Sequence, residues 1–253
     1  MEEKVTFTML QFFPLKMLIS AGCFLALKCV TGYLANNSRK SVIIRETNGL
    51  IHAFIASYLS ITAFMSTPPL LDDLIKNSND TALTCVGIST GYFLADSLVI
   101  IFQFCQDYGK DTQSSSLNLN ILFHHLAAFG AFYYALCSQL FIGYSTMCLL
   151  LEVSSIMLKV RKIWKVNDYP GIGDKRYHLL AAINIILFVI FRMFVIIFAI
   201  YWWSKNIHRL PLLYTVLPFS GSIVVGVINI RYFHLLMKSD IMPMMRHVPD
   251  KLE

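Results

Sequence analysis

Two adjacent histidines, His124 and His125, stand where a long apolar run of the sequence begins, and Glu152 lies inside the next run. Ionisable side chains cost free energy inside a membrane segment, so those that occur there mark functional sites more often than chance predicts. A histidine beside a carboxylate in a medium of low dielectric constant is a competent general base, because the carboxylate fixes the tautomer and stabilises the imidazolium. A neutral imidazole shielded from water is also able to attack an acyl donor as a nucleophile.

The elements that carry these side chains are predicted to be membrane helices. The 253 residues are 56% hydrophobic and only 14% charged, with a mean hydropathy of +0.60, whereas soluble domains are roughly 25% charged. Most of the apolar segments are near the roughly 20 residues that a spanning helix needs. There are seven of them: 10–33, 49–66, 83–104, 121–138, 140–159, 178–203 and 211–236. The sequence therefore predicts an all-α polytopic membrane protein with seven transmembrane helices.

The charge pattern predicts the orientation of these helices. The basic residues lie between the apolar segments rather than along one helix face, which argues against nucleic-acid binding despite the net charge of +6. With the N-terminus outside the cytoplasm, thirteen Lys and Arg residues fall on the cytoplasmic side and four on the other. The positive-inside rule then predicts a cytoplasmic C-terminus. The basic loop 160–177 is interpreted as a connector of this kind, with anionic headgroup contact as the alternative, and the Asn79 sequon faces the lumen.

In this topology six helices place polar side chains at mostly similar depth in their cytoplasmic halves. Polar residues that only pack helices have no reason to agree on depth, so the pattern indicates one polar chamber open to the cytoplasm. On the fifth segment Ser145, Cys148, Glu152, Ser155 and Lys159 recur at steps of three and four, which predicts a polar stripe facing the bundle. The other chamber residues are His52, Asp96, His124, His125, Asn184 and Asn229, with Arg192 deeper.

Each of these residues also has a structural interpretation. His125 and Glu152 are able to satisfy each other and pin the hairpin between the fourth and fifth segments, which almost no loop separates. Asp96 and Arg192 are able to form a charge-compensating pair, while a buried arginine is also able to hold a phosphate. No spacing among the histidines and Glu152 demands a metal, so no metal site is predicted.

Four motifs in order resemble the TLC (Tram–Lag–CLN) domain family. They are Gly91-Tyr92-Phe93-Leu94-Ala95-Asp96, His124-His125, Leu151-Glu152-Val153-Ser154-Ser155 and Phe191-Arg192. The resemblance divides the chain into an N-terminal transmembrane helix with its connector (1–44), a TLC domain (45–236) and a cytoplasmic tail (237–253). It implies six helices that form a TLC-type bundle around a lipid-accessible polar cavity, in the endoplasmic reticulum or another endomembrane.

Ceramide synthases of this family follow the histidine pair with a His-Asp and a second Asp on the next helix. Counting forward from His125, Glu152 falls at the place of the first Asp, while Leu151 replaces the His and Ser155 replaces the second Asp. The resemblance therefore implies His124, His125 and Glu152 as catalytic positions. The two replacements argue against ceramide synthase activity itself.

The expected function is acyl transfer, from a cytosolic acyl-CoA or a phospholipid to a sphingoid or phospholipid acceptor, which changes membrane lipid composition. Membrane lipids are the expected partners and acyl-CoA the co-substrate, with no bound cofactor. Substrate-binding positions are expected at Asp96, Arg192, Ser155, Asn229 and His52. The alternative is a non-catalytic protein that uses the same cavity for lipid sensing, lipid transport or cargo escort.

Overall fold

The computed structural model describes residues 2–33, 38–106, 115–167 and 174–242, and the regular structure in these ranges is helical throughout. Residues 243–253 of the predicted tail and 168–173 of the basic loop lie outside the described residues. The α-helices of the described ranges are α1 (Glu2–Tyr33), α2 (Ser38–Ser66), α3 (Asp80–Gln106), α4 (Ser115–Ser138), α5 (Ile142–Leu149), α6 (Glu152–Val166), α7 (Lys175–Phe188), α8 (Val195–Asn206) and α9 (Leu212–Leu236).

Six segments within the described ranges are long and apolar enough to cross a membrane. They are Val42–Ser66, Asp80–Cys105, Ile121–Ser138, Ile142–Val166, Lys175–Arg209 and Tyr214–Asp240. These correspond to the second to seventh segments of the sequence prediction, and α1, with 32 residues, covers the first. The prediction of an all-α polytopic membrane protein is confirmed.

Two predicted continuous helices are interrupted. The fifth segment is divided at Leu150–Leu151, where Val153 N donates to Leu150 O at 3.2 Å, a tighter pattern than that of an α-helix. The sixth segment contains a π-helical turn, Val189–Phe194, between α7 and α8. The polar stripe predicted for one fifth helix is therefore divided between α5 and α6.

The predicted tight hairpin between the fourth and fifth segments is observed, with α4 ending at Ser138 and α5 beginning at Ile142. Two residues of this turn adopt positive φ, Gln139 at 56° and Phe141 at 65°. Side chains other than glycine disfavour this region by about 1–3 kcal/mol unless the surroundings hold them there. Phe141 is held by burial and by its backbone N–H, which donates to Ile75 O at 2.7 Å.

The chain forms two compact units, Met1–Leu149 and Leu150–Glu253. In the first unit α3 is central, since α1, α2, α4 and α5 all pack against it. The start of α3 is capped by Asn79, whose Oδ1 accepts from Ala82 N at 2.7 Å while its Nδ2 donates to Ala63 O at 3.0 Å. Glycosylation of this asparagine stays a prediction.

Helices α1 and α3 run parallel and in a fixed register. Three side-chain contacts join residues 68 positions apart in the sequence: Lys16 with Thr84, Ser20 with Ile88 and Lys28 with Asp96. A constant offset along both chains requires the two helices to point the same way. At the closest approach, a Cβ on Gly91 would lie 2.5 Å from Met17 O, so only glycine fits there.

In the second unit α6 packs against α7 and α8 packs against α9, and the π turn between α7 and α8 contacts α6 and α9. The end of α9 continues into another π turn, Met237–Ile241. There Asp240, which is fully buried, pairs with Arg161 of α6 and accepts from Tyr177 Oη of α7 at 3.1 Å. These bonds fix the end of α9 against α6 and the start of α7.

Candidate functional site

The first unit holds a buried cluster of three ionisable side chains, which we call the Asp96 cluster: Lys28, Asp96 and His125. Lys28 Nζ donates to Asp96 Oδ1, and His125 Nδ1 lies 2.7 Å from Asp96 Oδ2. The side chains of Lys28 and Asp96 are each 10% exposed and that of His125 is 12% exposed. One carboxylate thus engages a different helix with each of its oxygens, α1 through Oδ1 and α4 through Oδ2.

Helix α3 positions this carboxylate by its own periodicity. Ser89, Tyr92, Phe93 and Asp96 are separated by steps of three and four, so they share one face of α3. The aromatic rings of that face lie beside the cluster, with the Phe93 ring centroid 5.2 Å and the Tyr92 centroid 6.0 Å from that of His125. The imidazole is therefore placed against apolar rings on one side and a carboxylate on the other.

The structure distinguishes the two adjacent histidines. His125 lies against α3, whereas the neighbouring His124 is exposed and reaches Phe93 only edge-on, at 6.4 Å between centroids. Consecutive residues of an α-helix point about 100° apart, so both rings cannot face the same neighbour. Of the two adjacent histidines, both expected to be catalytic, His125 has its Nδ1 2.7 Å from Asp96 Oδ2.

His52 of α2 packs against the same face of α3. Its ring stacks on Tyr92 with centroids 3.9 Å apart and planes 7° apart, and its Nε2 lies 3.2 Å from Ser89 Oγ. The residue is 1% exposed. These contacts make His52 part of the packing between α2 and α3, and His52 and His125 both contact the rings of Tyr92 and Phe93.

Helical phase and motif spacing did not identify the carboxylate beside His125. From the sequence, Glu152 was expected to orient the His125 imidazole, and Asp96 was expected among the substrate-binding residues. In the structure Asp96 approaches His125, while Glu152 opens α6 in the second unit. Lys28 lies inside an apolar segment but was not among the expected site residues, although such a charge needs a partner and was therefore a usable signal.

The second unit holds another buried cation, Arg192, in the π turn between α7 and α8. Its Nε donates to Ser154 Oγ at 2.6 Å, Nη1 to Asn229 Oδ1 at 2.8 Å and Nη2 to Ser155 Oγ at 2.8 Å. The guanidinium also lies over the Phe188 ring, 5.4 Å from its centroid. All three nitrogens therefore tie the π turn to α6 and α9.

The members of this arginine cluster, Arg192, Ser154, Ser155 and Asn229, include three residues expected in one site, and the structure brings those three together. Glu152 acts electrostatically on Arg192 within the same unit. Lys28 supplies the positive charge beside Asp96, the role for which Arg192 had been considered. Asn184 is fully buried in α7, and its amide atoms bond to none of the described residues.

The chemistry available differs between the two clusters. The Asp96 cluster contains an imidazole, which is able to accept a proton, with a carboxylate to stabilise its charged form. The arginine cluster contains a permanent cation held by neutral oxygens. Among the described residues, no three His, Cys, Asp or Glu side chains gather closely enough to hold a metal ion.

Comparison with known proteins places these residues in a family context. The family model for the TLC domain matches residues 47–238. TLC domain-containing protein 2 of Danio rerio is 24% identical over 196 residues, which cover 78% of this chain and 75% of the relative. TLC domain-containing protein 1 of Gallus gallus is 25% identical over 215 residues, covering 84% and 80%. The corresponding human protein 1 is 24% identical over 206 residues, covering 79% and 75%.

Proposed function

Because the chain belongs to the TLC domain family, which points to a membrane lipid-related role for this integral membrane protein, we propose that it is a lipid acyltransferase with His125 as general base. The observation that carries the proposal is the 2.7 Å separation between His125 Nδ1 and Asp96 Oδ2. A carboxylate at that distance orients an imidazole and stabilises its protonated form, which are the two properties that a general base needs.

In the proposed mechanism each ring nitrogen has a role. With Nδ1 facing Asp96, the neutral imidazole carries its proton on Nδ1 and its basic lone pair on Nε2. Burial beside Phe93 and Tyr92 limits access of water, which strengthens the interaction with the carboxylate. The Nε2 atom is therefore the position at which His125 would remove a proton from an acceptor.

The proposed reaction joins an acyl-CoA to a lipid alcohol or amine. His125 Nε2 takes the proton of the acceptor O–H or N–H while the acceptor atom attacks the thioester carbonyl carbon. The tetrahedral intermediate collapses with cleavage of the C–S bond, and the imidazolium returns the proton to the departing thiolate. The products are an ester or amide lipid and free CoA thiol, so atoms and charge balance and His125 is regenerated.

The cellular setting of this reaction is also part of the proposal. In the topology predicted from the basic residues, α4 enters the membrane at its cytoplasmic end with His125 in its early turns. A water-soluble acyl-CoA reaches that end from the cytosol. The family resemblance implies the endoplasmic reticulum or another endomembrane as the compartment.

The test compares two adjacent histidines in the full-length protein. Purified chain in lipid nanodiscs is given a radiolabelled long-chain acyl-CoA with either sphingosine or a lysophospholipid, and labelled lipid is counted. We expect His125→Ala to reduce the rate about 10²–10⁴-fold, the usual contribution of a general base. His124→Ala is the matched control, since it removes an exposed imidazole one position away.

Two further results decide between catalysis and a non-catalytic lipid-binding role. Cells that lack the chain are complemented with wild type or His125→Ala at equal protein abundance, and their lipidomes are compared. Acyltransferase activity requires that the two lipidomes differ. If they are the same, and labelled lipid forms with neither acceptor, the catalytic proposal fails and the Asp96 cluster is a structural ion pair.

A further inference from the structure

We propose that Lys28 is a positioning residue for His125, acting through Asp96, so that α1 is part of the functional site. This inference deepens the proposed function and rests on it for the effect on rate. Its structural basis is independent of the reaction, because it concerns the geometry of one carboxylate between an ammonium and an imidazole. The matched TLC domain begins at residue 47, so α1 lies outside it.

The two oxygens of the Asp96 carboxylate contact different partners. Lys28 Nζ engages Oδ1 and His125 Nδ1 faces Oδ2, so the carboxylate plane is fixed by a contact at each end. A carboxylate with only one partner is able to rotate about its Cβ–Cγ bond. Removal of Lys28 would therefore loosen the orientation of the oxygen that faces His125, although no contact of His125 itself is deleted.

Lys28 also acts on Asp96 electrostatically. Asp96 is only 7% exposed, and an isolated carboxylate at such a position is strongly disfavoured in its charged form. An adjacent lysine ammonium favours the charged form, which is the form that orients an imidazole. Lys28 thus supplies the condition under which Asp96 is able to act on His125.

Helix α1 is held closely against α3. The parallel register between α1 and α3 is fixed on the N-terminal side of Lys28 by Ser20 Oγ, which donates to Ile88 O at 2.8 Å. The glycine at position 91 allows the two backbones to touch one turn before Asp96. A helix that served only as a membrane anchor would not need so close an approach.

The experiment uses the purified full chain in nanodiscs with ¹³C,¹⁵N-labelled histidine, of which there are seven in the sequence. The ring signals of His124 and His125 are assigned by their loss in His124→Asn and His125→Asn. We expect Lys28→Met to shift the ring ¹⁵N signals of His125 and leave those of His124 in place. Lys28→Arg, which keeps the charge and the donor, should restore the His125 signals.

The matched control is Lys16→Met, which makes the same change on the same helix at another of the contacts with α3. It should leave the His125 signals unchanged. In the acyl-transfer assay, Lys28→Met should lower kcat about 10- to 100-fold with little change in KM, as expected when a reacting group is displaced rather than deleted. Lys16→Met should stay within about threefold of wild type, since its contact with Thr84 is exposed.

The outcomes separate this inference from the proposed function. If wild type transfers no acyl group, the proposed function fails, and the His125 signals in Lys28→Met still decide the positioning role. If those signals match wild type, Lys28 does not position His125, whatever the activity. Should Lys28→Met fail to fold, Lys28→Gln replaces it, because glutamine keeps a donor toward Asp96 without the charge. The His125 ring ¹⁵N signals of Lys28→Gln are then compared with those of wild type.

Discussion

The Asp96 cluster of the first unit and the arginine cluster of the second unit solve the same physical problem in different ways. Each keeps a cationic side chain out of water among apolar helices, at a cost of several kcal/mol unless the charge is compensated. Lys28 is compensated by a full negative charge on Asp96. Arg192 is held by three neutral oxygens, on Ser154, Ser155 and Asn229, with Glu152 acting on it electrostatically.

The two kinds of compensation suit the two clusters to different roles. In the Asp96 cluster the carboxylate faces Nδ1 of the imidazole, which leaves Nε2 as the position for proton transfer in the proposed reaction. A guanidinium does not lose its proton, and its three nitrogens are all engaged with the protein. The arginine cluster is equipped to hold α6, the π turn and α9 in a fixed arrangement, and the two clusters should respond differently to mutation.

The largest effect is expected at Asp96. Asp96→Ala leaves Lys28 buried without its carboxylate, which typically costs about 3–5 kcal/mol. The double variant Lys28→Met/Asp96→Leu removes both charges and should recover most of that loss, because well-packed apolar residues often replace a buried ion pair at little cost. Thermal unfolding of the detergent-purified proteins measures both. A melting temperature of Asp96→Ala equal to that of wild type would contradict the buried ion pair.

A smaller loss is expected at Arg192. Arg192→Met leaves two hydroxyls and one amide without their donor. Because these neutral groups are able to find other partners, we expect the free energy of unfolding to fall by about 2–4 kcal/mol. Arg192→Lys keeps the charge but lacks the planar guanidinium that reaches three acceptors. It should therefore recover less than half of the stability that Arg192→Met loses. The same unfolding experiment is the measurement. Acyl-transfer activity per folded molecule should stay within about threefold of wild type, since neither variant alters the Asp96 cluster.

The approach of α1 to α3 gives the next smaller effect and tests whether the Asp96 cluster depends on backbone fit. Gly91→Ala places a methyl group 2.5 Å from Met17 O, where the backbone has to move, and overpacking of this kind costs about 1–3 kcal/mol. Gly87→Ala is the matched control, since its nearest contact, Lys16 Cβ, is 3.9 Å away. Equal melting temperatures for the two variants would show that α1 and α3 do not meet at Gly91.

The sequence predicted the helices because a membrane span is encoded locally, in the length of an apolar run and the charges beside it. It did not predict the interruption at Leu150–Leu151, since this stretch contains no glycine or proline and its neighbours are ordinary helix formers. The residue types around Arg192 likewise did not predict the π turn. Local propensity therefore predicts neither interruption.

Pairing between helices was harder to predict than the helices themselves. Periodicity shows which residues share a face, but it does not show which neighbour that face meets. Arg192, Ser155 and Asn229 were all expected among the substrate-binding positions, and the structure brings the three side chains together. The partner of His125 was expected on the following helix, and the structure places Asp96 of the preceding one beside it. Lys28 lay before the segment covered by the family motifs, so attention to those motifs alone excluded it.

The smallest effects are expected from the serines that accept from Arg192, and they test how evenly the neutral oxygens share its charge. Ser155→Ala removes one acceptor while two remain, so we expect a loss of about 1 kcal/mol in the free energy of unfolding. Ser154 accepts from Arg192 Nε and also donates to Leu151 O at 2.9 Å, at the interruption between α5 and α6. Ser154→Ala should therefore cost more than Ser155→Ala. In double variants with Arg192→Met, the serine substitutions should lose most of their effect, whereas an additive loss would mean that these hydroxyls stabilise the unit without the arginine.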